Sequence, residues 1–135
     1  MSLPNAGLDV ATHLQTSALG TLGVDVFAVA EMPQSDTIPA KATFVQVYGG
    51  REPEDYLGQA PSGLRFPKVQ VTVRADPHDL ETAQEVARDA WDALHRVTLA
   101  GYLSCRCLQS APIYLGLNDQ QQPRFAINLE LVAAV

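Results

Sequence analysis

Hydrophobic positions along this chain switch between two periods, most sharply across residues 66–97. Val69, Val71 and Val73 interleave with Lys68, Gln70, Thr72 and Arg74, a period of two that predicts a strand with one dry face and one wet face. Pro67 fits only the start of such a strand or an edge. Past Asp76-Pro77 the period becomes helical. Leu80, Ala83, Val86, Ala87, Ala90, Trp91, Leu94 and Val97 form an apolar stripe, with Glu81, Glu85, Asp89, Asp92 and Arg96 opposite. Asp76 is placed as an N-cap and Pro77 as the first helical residue. Asp79 and Glu81 put negative charge where the helix dipole favours it. Asp92 and Arg96 are spaced as an i,i+4 ion pair.

The remaining elements follow by the same reading. Leu8, Ala11, Leu14, Ala18, Leu19 and Leu22 predict a first helix over 8–22, with Asn5 as N-cap and Gly23 ending it. Residues 24–30 (VDVFAVA) and 43–48 (TFVQVY) read as strands, separated by a polar break at 31–41. Residues 49–65 (GGREPEDYLGQAPSGLR) read as a long flexible loop with one apolar pair, Tyr56 and Leu57, in its middle. Residues 102–109 alternate, with Leu103, Cys105 and Cys107 on one face. Residues 113–117 and 123–132 are two more strands, joined by a polar turn at 118–122. In the last strand Phe125, Ile127, Leu129 and Leu131 face one way, and Arg124, Ala126, Asn128 and Glu130 the other. The expected fold is a single α+β domain over residues 1–135. It is a mainly antiparallel sheet with two helices packed on one face, in the order α-β-β-loop-β-α-β-β-β.

Charge and composition narrow the function. The formal net charge is -6, which argues against a surface that grips nucleic acid by neutralising phosphates. The N-terminus lacks the basic-then-apolar pattern of a secretory signal, and no run approaches the roughly 18 apolar residues that cross a bilayer. Cys105 and Cys107 would share one strand face, an arrangement suited to two buried thiols rather than a disulfide. That predicts a reducing compartment.

Residues able to carry chemistry are sparse. Asp9 and His13 could be half of a catalytic dyad, but read as an exposed helical pair. His78 beside Asp76 and Asp79 looks like a metal corner, yet no second cluster supplies further ligands, and a solvated helix start suffices. Cys105 and Cys107 have no partner ligands and read as buried strand residues. Gly49-Gly50 follows a strand, but without GK[ST] or G-x-G-x-x-G it is no phosphate loop. Trp91 reads as core. Tyr48, Arg51, Tyr56 and Arg65 could form an aromatic-basic contact patch. No metal, cofactor or catalytic residue is expected.

Three stretches together carry a resemblance: the strand ending in FVQVYGG, the segment FPKVQVTVRADPHDLETAQEVARDAWDALHRV, and SAPIYLGLNDQQQPRFAINLELV. In order and spacing, from Phe44 to Val132, the chain resembles the small tail-terminator proteins of tailed bacteriophages, also labelled tail-completion or minor capsid proteins. The resemblance implies a non-enzymatic virion protein, assembled in the bacterial cytoplasm, that forms a homohexameric ring. The ring would sit on the last ring of tail-tube protein, stop polymerisation, and offer a surface to the head–tail connector. DNA would pass through it without being specifically bound, and no membrane would be involved.

A ring needs two different surfaces on each subunit. The candidates are the long loop (Arg51, Glu52, Tyr56, Leu57, Arg65) and the polar turn (Asn118, Asp119 and on to Gln122). The acidic row Glu81, Glu85, Asp89 and Asp92 would face the channel or a neighbour. Two other functions compete. One is a head–tail connector or stopper of the same phage module. The other is a small-molecule-binding α+β domain, which predicts a concave pocket with convergent polar groups.

Overall fold

A computed structural model describes residues 5–28, 39–55 and 63–134. Its sheet is built on one long central strand, β8 (Pro123–Ala134). One edge of β8 pairs antiparallel with β5 (Pro67–Arg74), Val69 opposite Leu129 and Val71 opposite Ile127. Its other edge is shared by β6 (Ser104–Cys107) and β7 (Ile113–Leu117). Beyond β5 lies β2 (Ala42–Gly50), antiparallel, and beyond that the short parallel β1 (Val26–Phe27). Helices α1 (Ala6–Thr16) and α2 (Leu80–Leu94) complete the α+β fold.

The period-two residues of the sheet make the core with the two helices. Val69, Val71, Val73, Phe125, Ile127, Leu129 and Leu131 share one buried cluster with Val10, Ala11 and Leu14 of α1 and Ala83, Ala87, Ala90 and Leu94 of α2. The small alanines of α2 let its axis approach β8 closely, and Leu94 fills the end of the interface. The order of strands and helices matches the sequence reading, with additional strands inside the expected loop.

Several local expectations change. Helix α2 starts at Leu80, and its N-cap is Asp79, whose Oδ1 accepts from the Thr82 N–H at 3.2 Å. Asp76 and Pro77 belong instead to a turn closed by Asp79 N–H donating to the Asp76 carbonyl at 3.1 Å. His78 is left-handed at φ 62 and donates its N–H to the Gln121 carbonyl of the 118–122 turn. A tertiary hydrogen bond thus outweighs the early helix start that Pro77 invited. At the other end, Arg96 is past the helix at φ 58 and donates its N–H to the Cys105 carbonyl. It therefore cannot sit one helical turn from Asp92, and the described residues include no ion pair between them.

Asn5 caps α1 as expected, accepting from the Leu8 N–H at 3.2 Å. That helix stops at Thr16, however, because Ala18 turns left-handed at φ 62. Leu8, Leu80 and Leu103 lie outside the core on exposed surface, and Val10 takes the inward position that the stripe missed. The expected strand over 24–30 reduces to β1; Val24 is exposed in a turn, and residues 29–30 lie outside the described residues.

The largest revision concerns residues 49–65. Gly49 and Gly50 belong to β2, and β3 (Glu54–Asp55) pairs with β4 (Gly63–Arg65). β4 keeps the register of β5 along β8: Leu64 faces Ala134, Arg65 faces Ala133, and Lys68 faces Glu130. β2 with β3 and β4 with β5 therefore form one long antiparallel arm, irregular between Val47 and Gly50. Glycine is required at its crossing points. A Cβ at Gly50 would fall 2.2 Å from the Phe66 carbonyl oxygen, and one at Gly63, where φ is 156, would fall 2.4 Å from that of Glu54. Glycine and proline content suggested a loop, whereas here glycine permits close strand contact.

Candidate interaction surfaces

The sheet face away from the helices is built around Glu130. Its neighbours across the sheet are Lys68 on β5 and Arg106 on β6. The Glu130 carboxylate accepts from Arg106 at 3.2 Å and lies 3.8 Å from the Arg51 guanidinium. The residue is only 5% exposed although it points away from the hydrophobic core. Arg51 also stacks over the Phe66 ring, 3.7 Å from its centroid. Tyr48 lies close enough that burial, and then the Glu130 charge, raise its phenol above its ordinary pKa.

Arg74 and Arg124 face one another on the same side, by register. Arg74 donates to the Pro39 and Ala40 carbonyls at 2.8 and 2.9 Å, and burial lowers its pKa. This face thus carries Arg51 and Arg106 on the Glu130 carboxylate, Lys68 opposite it in register, and Arg74 and Arg124 six residues further along the strands. The acidic whole-chain charge concealed it. The signal was present in the alternation, since Lys68, Arg74, Arg106, Arg124 and Glu130 all occupy positions opposite the core-facing ones.

On the helix side the charge is reversed. Glu81, Glu85, Asp89 and Asp92 are all exposed along α2, one turn apart, as the helical spacing requires. The structure therefore separates an acidic helix row from a cation-rich sheet face.

The expected partner residues are distributed over two regions. Arg51, Glu52 and Arg65 lie on the arm; Arg65 bonds Asp55 at 2.9 Å, across the β3–β4 pair. Tyr56 and Leu57 lie outside the described residues. At the base of the arm is an open concavity of about 320 Å³ lined by Val47, Gly49, Gly50, Arg51, Pro53, Arg65, Phe66 and Pro67. Its wall is mostly apolar, with cations at the rim, so it lacks the converging polar groups of a small-molecule site.

The second region is the 118–122 turn with the strand leading into it. Asn118 is largely used within the turn. Its Oδ1 accepts from the Gln120 and Gln122 N–H groups at 3.0 and 2.9 Å, and its Nδ2 donates to Gln122 Oε1 at 2.7 Å. Asp119 is exposed. Beside it, Ile113, Tyr114, Leu115 and Leu117 of β7 are all more than a third exposed. This apolar strand is a surface that sequence reading treated only as sheet.

The groups weighed for catalysis bond other partners. The Asp9 carboxylate accepts from the Tyr102 hydroxyl at 2.7 Å, while His13 Nε2 lies 3.1 Å from the Ala93 carbonyl. The two are not a dyad. Cys105 and Cys107 are buried free thiols. Burial pushes them up to about 11 and about 12, the second also by the charges of Cys105 and Asp92. Neither is poised as a nucleophile at neutral pH. Trp91 is half-buried, donates to the Gln109 carbonyl at 2.9 Å and stacks on His95. Among the described residues no group of three or more His, Cys, Asp or Glu is arranged to hold a metal ion, and no helix is long and apolar enough to cross a membrane.

No protein-family model matches the chain, and no curated protein does. Among solved structures, it is similar to a chain of the virion of a native gene transfer agent particle. The TM-score is 0.65 at 17% identity, covering 96% of this chain and 95% of the other. At that identity the likeness is one of fold.

Proposed function

We propose that this protein is a virion structural component and, more narrowly, a tail terminator. In this reading six copies form a ring on the tail tube, stop its polymerisation and join it to the head–tail connector. Its role is assembly rather than catalysis, in a particle built in the bacterial cytoplasm. The observation that carries the reading is the end-to-end fold likeness to a chain of a gene transfer agent virion; the narrower terminator role rests on the resemblance of the sequence.

The charge layout supports a ring threaded by DNA. The exposed row Glu81, Glu85, Asp89 and Asp92 would repel phosphates if it faced the channel, so DNA would pass without being held. The arm with Arg51, Glu52 and Arg65, and the turn with Asp119, give the two unlike surfaces that a ring requires. Tyr56 and Leu57 are further candidate partner contacts, and Asn118 would support the second surface by holding the 118–122 turn.

Deleting the gene in its phage or prophage is expected to yield over-long or headless tails. Tails of normal length attached to heads would refute the terminator role. Capture of purified tail tubes separates this role from that of a connector or stopper, which would bind the head vertex instead.

A further inference from the structure

We infer that the apolar strand β7 of one copy seats in the concavity at the base of the β2–β5 arm of the next copy. β7 presents Tyr114, Leu115 and Leu117 outward, and residues 111–117 carry no charge. An uncharged apolar edge strand is a liability that folded proteins cover or interrupt. Gly116, at φ 86, and the register shift around Leu115 bend this edge. A bent edge resists simple strand addition and presents side chains as a protrusion.

The concavity supplies the matching surface. Exposed Val47 (43%) and Pro53 line it over a floor of buried Phe66 and Pro67. Its lining strands β2, β4 and β5 lie on one side of β8 and β7 on the other. Protrusion and hollow are therefore different patches on opposite sides of one protomer. Contact between them is head-to-tail, the kind that propagates into a ring rather than closing as a two-fold dimer.

Charge complementarity supports a second copy of this chain as the occupant. Asp119 is exposed just beyond Leu117, and the half-exposed Arg51 guanidinium stands at the rim of the hollow. Seating β7 brings Asp119 of one copy toward Arg51 of the next. The inference rests on the ring reading for its number of copies, but not for the contact itself.

The test is covalent capture. Leu115→Cys and Val47→Cys, both at exposed positions, are placed in one chain and treated at high concentration with a short bis-maleimide. The buried native thiols leave a quiet background. A ladder of linked oligomers from the double variant, with only monomers from either single variant, is the expected result. Dimers from Leu115→Cys alone would mean β7 meets β7 and would overturn the inference. Monomers from the double variant would also overturn it. Adding Asp119→Arg to the double variant should reduce the ladder at least tenfold, and an undiminished ladder would overturn the Asp119–Arg51 approach. Circular dichroism of each chain separates lost contact from lost fold. A ladder together with normal tails in the deletion strain would refute only the terminator role. Over-long tails without a ladder would refute only this contact.

Discussion

Arg106 and Glu130 face each other across β6 and β8, 3.2 Å apart, with the carboxylate side chain 7% exposed and the guanidinium side chain 60% exposed. A carboxylate buried under solvent-reaching cations holds the outer face of the sheet to a defined layout. Arg51 reaches the same carboxylate from the arm, so Glu130 links the arm to the central strand.

Glu130→Gln keeps the shape and removes the charge that Arg51 and Arg106 contact. Solvent screening at the exposed guanidinium groups limits the cost to about 1 kcal/mol, from charged hydrogen bonds partly replaced by water. Urea denaturation should show a lower midpoint at unchanged slope. The same change should increase amide exchange in the arm more than in α2.

The two thiols predict a base-labile fold. Their folded-state values, about 11 for Cys105 and about 12 for Cys107, lie above the ordinary 9.0 of a cysteine. Below pH 9 both states are protonated and this contribution to stability is intact. As pH rises from 9 toward 12 the unfolded chain loses protons first, and stability falls. The double variant Cys105→Ala, Cys107→Ala should flatten that decline, even though the lost volume lowers stability at neutral pH. A thiol reagent at pH 8 should label the folded protein far more slowly than the unfolded chain.

Tyr102 donates to Asp9 at 2.7 Å, joining the segment before β6 to the first turn of α1. Tyr102→Phe leaves the ring packing and removes that bond. The expected loss is about 1–2 kcal/mol, read as a lower denaturation midpoint. Burial, then the Asp9 hydrogen bond and charge, raise the Tyr102 phenol above its usual range. Its ultraviolet ionisation signal should therefore appear only on unfolding.

Gly50→Ala and Gly63→Ala test the arm. Each new Cβ would meet backbone carbonyl oxygen at less than contact distance, so the strands must separate there. Amide protection at Glu54, Asp55 and Leu64 should fall at least tenfold, while protection of Val71 and Ile127 stays unchanged. Equal loss at all these sites would mean the arm is not a separate opening unit.

Local pattern was enough to read the α+β class, the element order, the core-facing residues of β5 and β8, the Asn5 cap and the buried thiols. These depend on period and on near neighbours, which the chain itself displays. The exposed acidic row of α2 was legible for the same reason. Partner-facing residues were less so, because Asn118 serves the turn that contains it, and the uncharged β7 is recognisable as surface only once its outer side is known.

What tertiary structure alone decided depends on distant partners. Helix α2 begins at Leu80 because the Gln121 carbonyl, more than forty residues away, receives the His78 N–H. Glu130 is buried although its position in the alternation is outward, because β6 and the arm bring Arg106 and Arg51 onto it, with Lys68 of β5 opposite in register. Residues 49–65 read as a loop because Gly50 and Gly63 mark flexibility in one dimension. In space each faces another strand, Gly50 opposite Pro67 and Gly63 opposite Asp55, where a Cβ would strike backbone oxygen. Sequence periodicity fixes which side of an element faces the core, but a residue's partners are set by what the other strands place beside it.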